Sequence, residues 1–109
     1  MFPKIKGLKW LSDDCPDLIE VKTILLDKKQ FEMDLPNGPD EIEAPQYCDL
    51  SKLAGVRDFY PEMNEISNTE CMVDFSGMPS MIIKINKHDM LKAWLVYKQF
   101  NYKNNGNSN

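Results

Sequence analysis

Apolar residues along this chain recur with two different periods, and the changes between them mark the elements. Residues 4–11 predict an edge strand, weakened by Gly7. Over residues 18–27, Ile19, Val21 and Leu25 fall on one parity, and Leu18, Ile24 and Leu26 on the other. A strand apolar on both faces is expected at the centre of a sheet. Lys28-Lys29 predicts a turn, after which Phe31, Met33 and Leu35 alternate with Glu32 and Asp34. Residues 18–35 therefore predict a hairpin. Pro36-Asn37-Gly38-Pro39 breaks it, because glycine tolerates positive φ and each proline removes a donor. A short helix is expected over residues 45–54, with Pro45 near its start, Leu50 and Leu53 inward, and Gly55 as its stop. Residues 56–60 read as extended, since the residue before Pro61 avoids the helical region. Residues 62–68 read as a polar loop.

The second half repeats the alternation more clearly. Cys71, Val73 and Phe75 share one parity over residues 69–75, Ser76-Gly77-Met78-Pro79 turns the chain, and residues 80–85 return. Asn86 is placed to cap a helix running to Phe100, with Asp89 three positions on. The Asn-rich residues 101–109 are expected to be a flexible tail. Together these elements predict an α+β fold: one domain over residues 1–100, with a small antiparallel sheet of about five strands (two hairpins plus edge strands). The C-terminal helix packs on one face of it, and the short middle helix completes the set.

At helical spacing, Met90, Leu91, Trp94, Leu95 and Tyr97 form a broad stripe expected to pack on the sheet. Ala93, Val96 and Phe100 form a second stripe on the far side, where a surface helix should be polar. Either the N-terminal segment with Phe2 and Trp10 covers that stripe, or a partner does. Two further sites invite the same question. Met78 and Met81 flank a hairpin tip, where flexible apolar side chains serve equally as core margin or as contact surface. Phe59 and Tyr60 end a strand, either anchoring it or meeting a partner.

Composition narrows the function classes. Of 109 residues, 42% are apolar and 28% charged, as expected of a globular protein and not of a wholly disordered one. No apolar run approaches the roughly 20 residues that cross a bilayer, and Lys4, Lys6 and Lys9 interrupt the first residues, which argues against a secretory signal. Cys15, Cys48 and Cys71 are odd in number and unpaired by spacing, so reduced thiols in a cytoplasm are expected. The net charge of −4 argues against non-specific nucleic-acid binding. So does the make-up of the basic residues, all lysine except Arg57, because arginine is the better bidentate phosphate and base reader. Lysine- and asparagine-rich usage with one arginine also fits an AT-rich genome, such as that of a phage or another mobile element.

Candidate chemistry is sparse. His88 is the only histidine, and with Asp89 alone it makes no metal site, which needs three or four convergent ligands. Asp13, Asp14 and Asp17, like Asp40, Glu41 and Glu43, lack the spacing and central glycine of a calcium loop and read as solvated loops. No cofactor is called for. The expectation is a non-catalytic protein–protein interaction or assembly module, a small structural subunit or an inhibitor of a host protein. Its contact surface is drawn from Ala93, Val96, Phe100, Met78, Met81, Phe59 and Tyr60. The partner is a protein, self or foreign, with no membrane and no direct non-specific nucleic-acid binding. Two alternatives are a small enzyme pairing Cys48 or Cys71 with His88, and an acidic inhibitor filling a nucleic-acid-binding groove on its target.

Overall fold

A computed structural model describes residues 2–27 and 41–106 of the chain. The turn expected at 28–29, the strand at 31–35, the break at 36–39 and the end of the tail at 107–109 lie outside the described residues. The fold is α+β, and its elements in order are β1 (Leu8–Trp10), β2 (Leu18–Asp27), β3 (Glu41–Asp49), a 3-10 turn (Leu50–Lys52), β4 (Leu53–Asp58), β5 (Cys71–Phe75), β6 (Met81–Ile83) and α1 (Lys87–Gly106). All strand pairs are antiparallel.

β2 is the hub, as its two-sided apolar pattern predicts. β3 runs along it from Leu18↔Asp49 to Asp27↔Glu41. A strand has only two edges, so β1 and β6 share the other one end to end: Leu8 pairs Val21, and Ile83 pairs Thr23. Gly7 sits where those two strand ends abut. Its φ is +87°, and a Cβ there would stand 2.5 Å from the Lys84 carbonyl oxygen. Only glycine fits such an approach without a shift of backbone. β5 follows β6 and β4 follows β5, which makes β3 and β4 the two ends of the row.

Those two ends are joined by the 3-10 turn alone, and this forces the sheet to curl. Four strand spacings would hold the edges of a flat sheet about 19 Å apart, yet the chain from Asp49 to Leu53 reaches at most about 14 Å. Backbone bonds tie the turn to both flanks, Leu50 N–H to Asp17 O at 2.7 Å and Ser76 N–H to Lys52 O at 2.8 Å. Asp49 Oδ1 accepts from Ser51 N–H at 2.9 Å and caps the turn.

The concave side holds the core: Ile19, Val21, Cys48, Leu50, Leu53, Cys71, Val73, Phe75, Ile83, Ile85 and Met90. Each fully buried aliphatic side chain among them contributes about 1.5–3 kcal/mol through surface removed from water. Thr23 is the buried polar member, and its hydroxyl donates to Ile82 O at 3.0 Å, so its burial carries no unpaired group.

One expectation needs correction. Pro45 opens no helix. It lies inside β3, opposite Lys22, and only Leu50–Lys52 turns helically. An edge strand is where a sheet accepts proline, so the residue fits either assignment and the register decides. Among the described residues, β2 also pairs with residues 41–49, for which no strand was expected. The second hairpin stands as expected, with Val73 opposite Met81 and Gly77 at φ +82° in its turn.

Candidate functional site

The helix begins where its cap predicts. Asn86 Oδ1 accepts from His88 N–H at 2.7 Å, satisfying an orphan donor of the first turn. The Asn86 side-chain amide also donates to Asn68 O at 2.7 Å, fastening the helix start to the loop between β4 and β5. Lys87 pairs with Asp58 at 2.9 Å. The helix continues past Phe100 to Gly106, so residues 101–106 are helical.

The helix does carry two apolar faces, but the packed one is rotated relative to the sequence reading: Met90, Trp94 and Tyr97 pack as expected, with Ala93 in place of Leu91 and Leu95. Met90 and Ala93 are fully buried, and Trp94 and Tyr97 pack at the core margin. Leu91 and Leu95, expected against the sheet, point outward. Two apolar faces of similar hydrophobicity do not tell a sheet which to bury. Shape does: the small Ala93 lets the helix axis approach its neighbours closely.

The exposed face is continuous. Leu91, Leu95 and Tyr102 lie within about 40° of one another at 3.6 residues per turn, and they are 39%, 55% and 80% exposed. Lys98 falls on the same stripe, its ammonium 5.1 Å from the Trp94 ring centroid. Lys92 and Lys103 are exposed on the stripe's flank. The helix holds four lysines against one aspartate, which leaves nine basic and sixteen acidic residues for the rest of the chain. In an acidic protein, the exposed apolar stripe therefore lies on a net-basic element. Tyr102 lies beyond the expected helix end at Phe100, six residues short of the observed one at Gly106; the i, i+4, i+11 spacing is the signal that points to it.

The residues expected to bind a partner are placed unevenly. Ala93 lies in the interior, where it offers no surface. Val96 and Phe100 are half-buried. Phe2 packs edge-on to Phe100 at 6.1 Å between ring centroids and against Trp10 at 5.5 Å, so the N-terminal segment leans over that side. Val96, Gln99, Phe100 and Tyr102 still border an open depression of about 730 Å³. Phe59 and Tyr60 share a second depression, of about 580 Å³, with Lys87 at the helix start, and Tyr60 is the more exposed of the two. Met78 is exposed at the β5–β6 tip, while Met81 turns inward against the core.

The thiols run against nucleophilic chemistry. Cys48 and Cys71 are buried, and burial pushes their thiols up to about 11 and about 12, with the Asp58 charge adding to the second. A nucleophilic cysteine needs the opposite shift. His88 is exposed on the first helical turn. Arg57 is committed within the fold: Nε and Nη2 donate to the two Asp74 oxygens at 3.0 and 3.1 Å, and Ser80 Oγ joins them. Among the described residues no group of three or more His, Cys, Asp or Glu could hold a metal ion, and no helix is long and apolar enough to cross a membrane. No family model matches this chain, and neither a curated protein nor a solved structure does.

Proposed function

We propose that this chain is a non-catalytic protein-interaction module that docks through the outer face of its C-terminal helix. The observation that carries this reading is the exposed stripe of Leu91, Leu95 and Tyr102, bordered by lysines, on a helix whose other face is already used by the core. Apolar side chains held in line on a regular helix are the arrangement by which helices and grooves recognise one another. Separation of charge also favours this reading over an acidic inhibitor filling a nucleic-acid-binding groove, since the helix offered is net basic.

A photo-cross-linking residue placed at Leu95, compared with one at the exposed Lys52, tests it in the source cell. A discrete protein adduct from position 95, self or foreign, is expected, with none from position 52. No adduct from position 95, or the same adducts from both, overturns the reading.

A further inference from the structure

The outer side of the sheet offers a surface of opposite character. On β2, Ile19, Val21 and Thr23 are buried, so Leu18, Glu20 and Lys22 face outward. The register sets Asp49 beside Leu18 and Tyr47 beside Glu20 on β3, and Lys9 beside Glu20 on β1. Leu11 N–H donates to Leu18 O at 3.0 Å, which brings Leu11 into the same row. Leu11, Leu18 and Tyr47 are 41%, 44% and 62% exposed. Acids outnumber bases around them: Asp13 and Asp14 follow Leu11, Asp17 precedes Leu18, and Glu20 and Asp49 stand alongside, against Lys9 and Lys22. Cys15, in the same loop, has its thiol raised by burial first and then by Asp17 and Asp49, whose charges converge there.

Resting on the reading of the helix as a docking face, we propose that its partner is a second copy of this chain. The stripe of Leu91, Leu95 and Tyr102 seats on Leu11, Leu18 and Tyr47 of the next copy, with Lys92, Lys98 and Lys103 against the acidic rim. Apolar area meets apolar area, and each sign of charge meets its opposite. The stripe is about 16 Å long and the patch spans two strand spacings, about 10 Å. Such a contact sits at the small end of specific interfaces and associates weakly. Pairing of two helices face to face is disfavoured, because it sets the lysines of one copy against those of the other. Tyr60, Met63 and Ile66 with Glu62 and Glu65 form another acidic, apolar surface, but on a loop. The patch on β1 to β3 is held by ladder register. The stripe and the patch are different surfaces, so the contact is heterologous: a dimer still has one stripe and one patch free, and growth continues past it into a ring or an open chain.

Complementation tests this directly. The mass of the wild-type chain, followed by sedimentation equilibrium up to millimolar concentration, is expected to rise beyond that of a dimer. Leu95→Glu, with Tyr102→Glu as a second helix variant, disables the stripe. Tyr47→Lys, with Leu18→Lys as a second sheet variant, disables the patch. Each variant, checked for retained fold by circular dichroism and melting, is expected to associate at least tenfold more weakly alone. An equimolar mixture of one helix and one sheet variant is expected to form a dimer that grows no further, since it contains one intact stripe and one intact patch. A wild type that stays monomeric throughout overturns self-association, while cross-linking at Leu95 to a foreign protein leaves the docking face standing. Wild-type association in Tyr47→Lys and Leu18→Lys, or a mixture that stays monomeric, overturns the assigned surface. Complementation by Met63→Lys in place of the sheet variants does the same and moves the contact to the loop.

Discussion

The curled sheet and the C-terminal helix use their apolar residues in opposite ways. Along β5 the alternation is complete: Cys71, Val73 and Phe75 are buried, while Met72 and Asp74 are not. The inner positions of β2 obey the same rule, and β6 closes the layer with Ile83 at zero exposure between Thr23 and Cys71. The inward-facing apolar positions described on these strands are consumed by the fold, and Leu18 on the outer side of β2 is the exception. The helix carries more apolar surface than its packing against β4 and the 3-10 turn absorbs, and the surplus lies in line on its far side. A pattern that the fold fully uses describes stability, whereas a surplus that the fold leaves in water, repeated at helical spacing, points to a contact outside the molecule.

The strongest way to break that comparison is at the centre of the sheet. Ile83→Ala removes a buried side chain from a layer that cannot collapse around it, and is expected to cost about 2–5 kcal/mol, read as a lower midpoint in urea at unchanged slope. A loss below about 1 kcal/mol would mean the sheet interior is not where the stability lies.

Next in size is the junction of β1 and β6. Gly7→Ala meets both a positive φ and the Lys84 carbonyl oxygen at 2.5 Å, whereas Gly77→Ala meets a positive φ with nothing within 4 Å. The conformational term alone is about 1 kcal/mol, so Gly77→Ala is expected to cost about that and Gly7→Ala about 1–2 kcal/mol more. Equal losses in thermal melts at matched conditions would show that the end-to-end packing on β2 is loose.

These differences also mark how far the sequence could be read. The β5–β6 hairpin was legible because Cys71, Val73 and Phe75 share a parity and Gly77 supplies the turn. The helix start was legible because Asn86 has one local partner to find. What escaped was decided at long range. Pro45 suits the first turn of a helix and an edge strand equally, and only its pairing with Lys22 settles the matter. The curl of the sheet follows from joining two edge strands by a single turn, a fact of topology that no window of residues contains. The rotation of the helix was hidden for a third reason: both faces are apolar, and the small Ala93, which looks like surplus in a hydrophobicity count, is the residue that permits close approach. The candidate site was therefore legible as an element but not as a face.

The ion pair on the outer side of β4 and β5 gives a smaller, pH-dependent effect. The Ser80 hydroxyl, and then the Arg57 guanidinium, hold the Asp74 carboxyl below its usual value. A group with a depressed native pKa stabilises the fold above its unfolded value, and the benefit fades as pH falls through the lowered one. Asp74→Asn is therefore expected to be slightly less stable than wild type near neutrality and to converge with it in acid. The carboxyl is solvent-exposed, so the gap is small at neutral pH; a gap that widens in acid contradicts the assignment.

The smallest expected effect is the most informative about the helix. Leu95→Ala removes an exposed side chain and replaces it with the best helix former, so its cost in an isolated monomer should stay within about 0.5 kcal/mol. The measurement is a pair of denaturation curves, at micromolar and at near-millimolar protein. A negligible loss at low concentration that grows at high concentration assigns the missing cover of Leu95 to another copy of the chain, because a partner that binds only the folded state adds stability that rises with the logarithm of its concentration above Kd. A loss above about 2 kcal/mol at both concentrations would instead place that cover within the chain itself, and the surplus that separates the helix from the sheet would no longer exist.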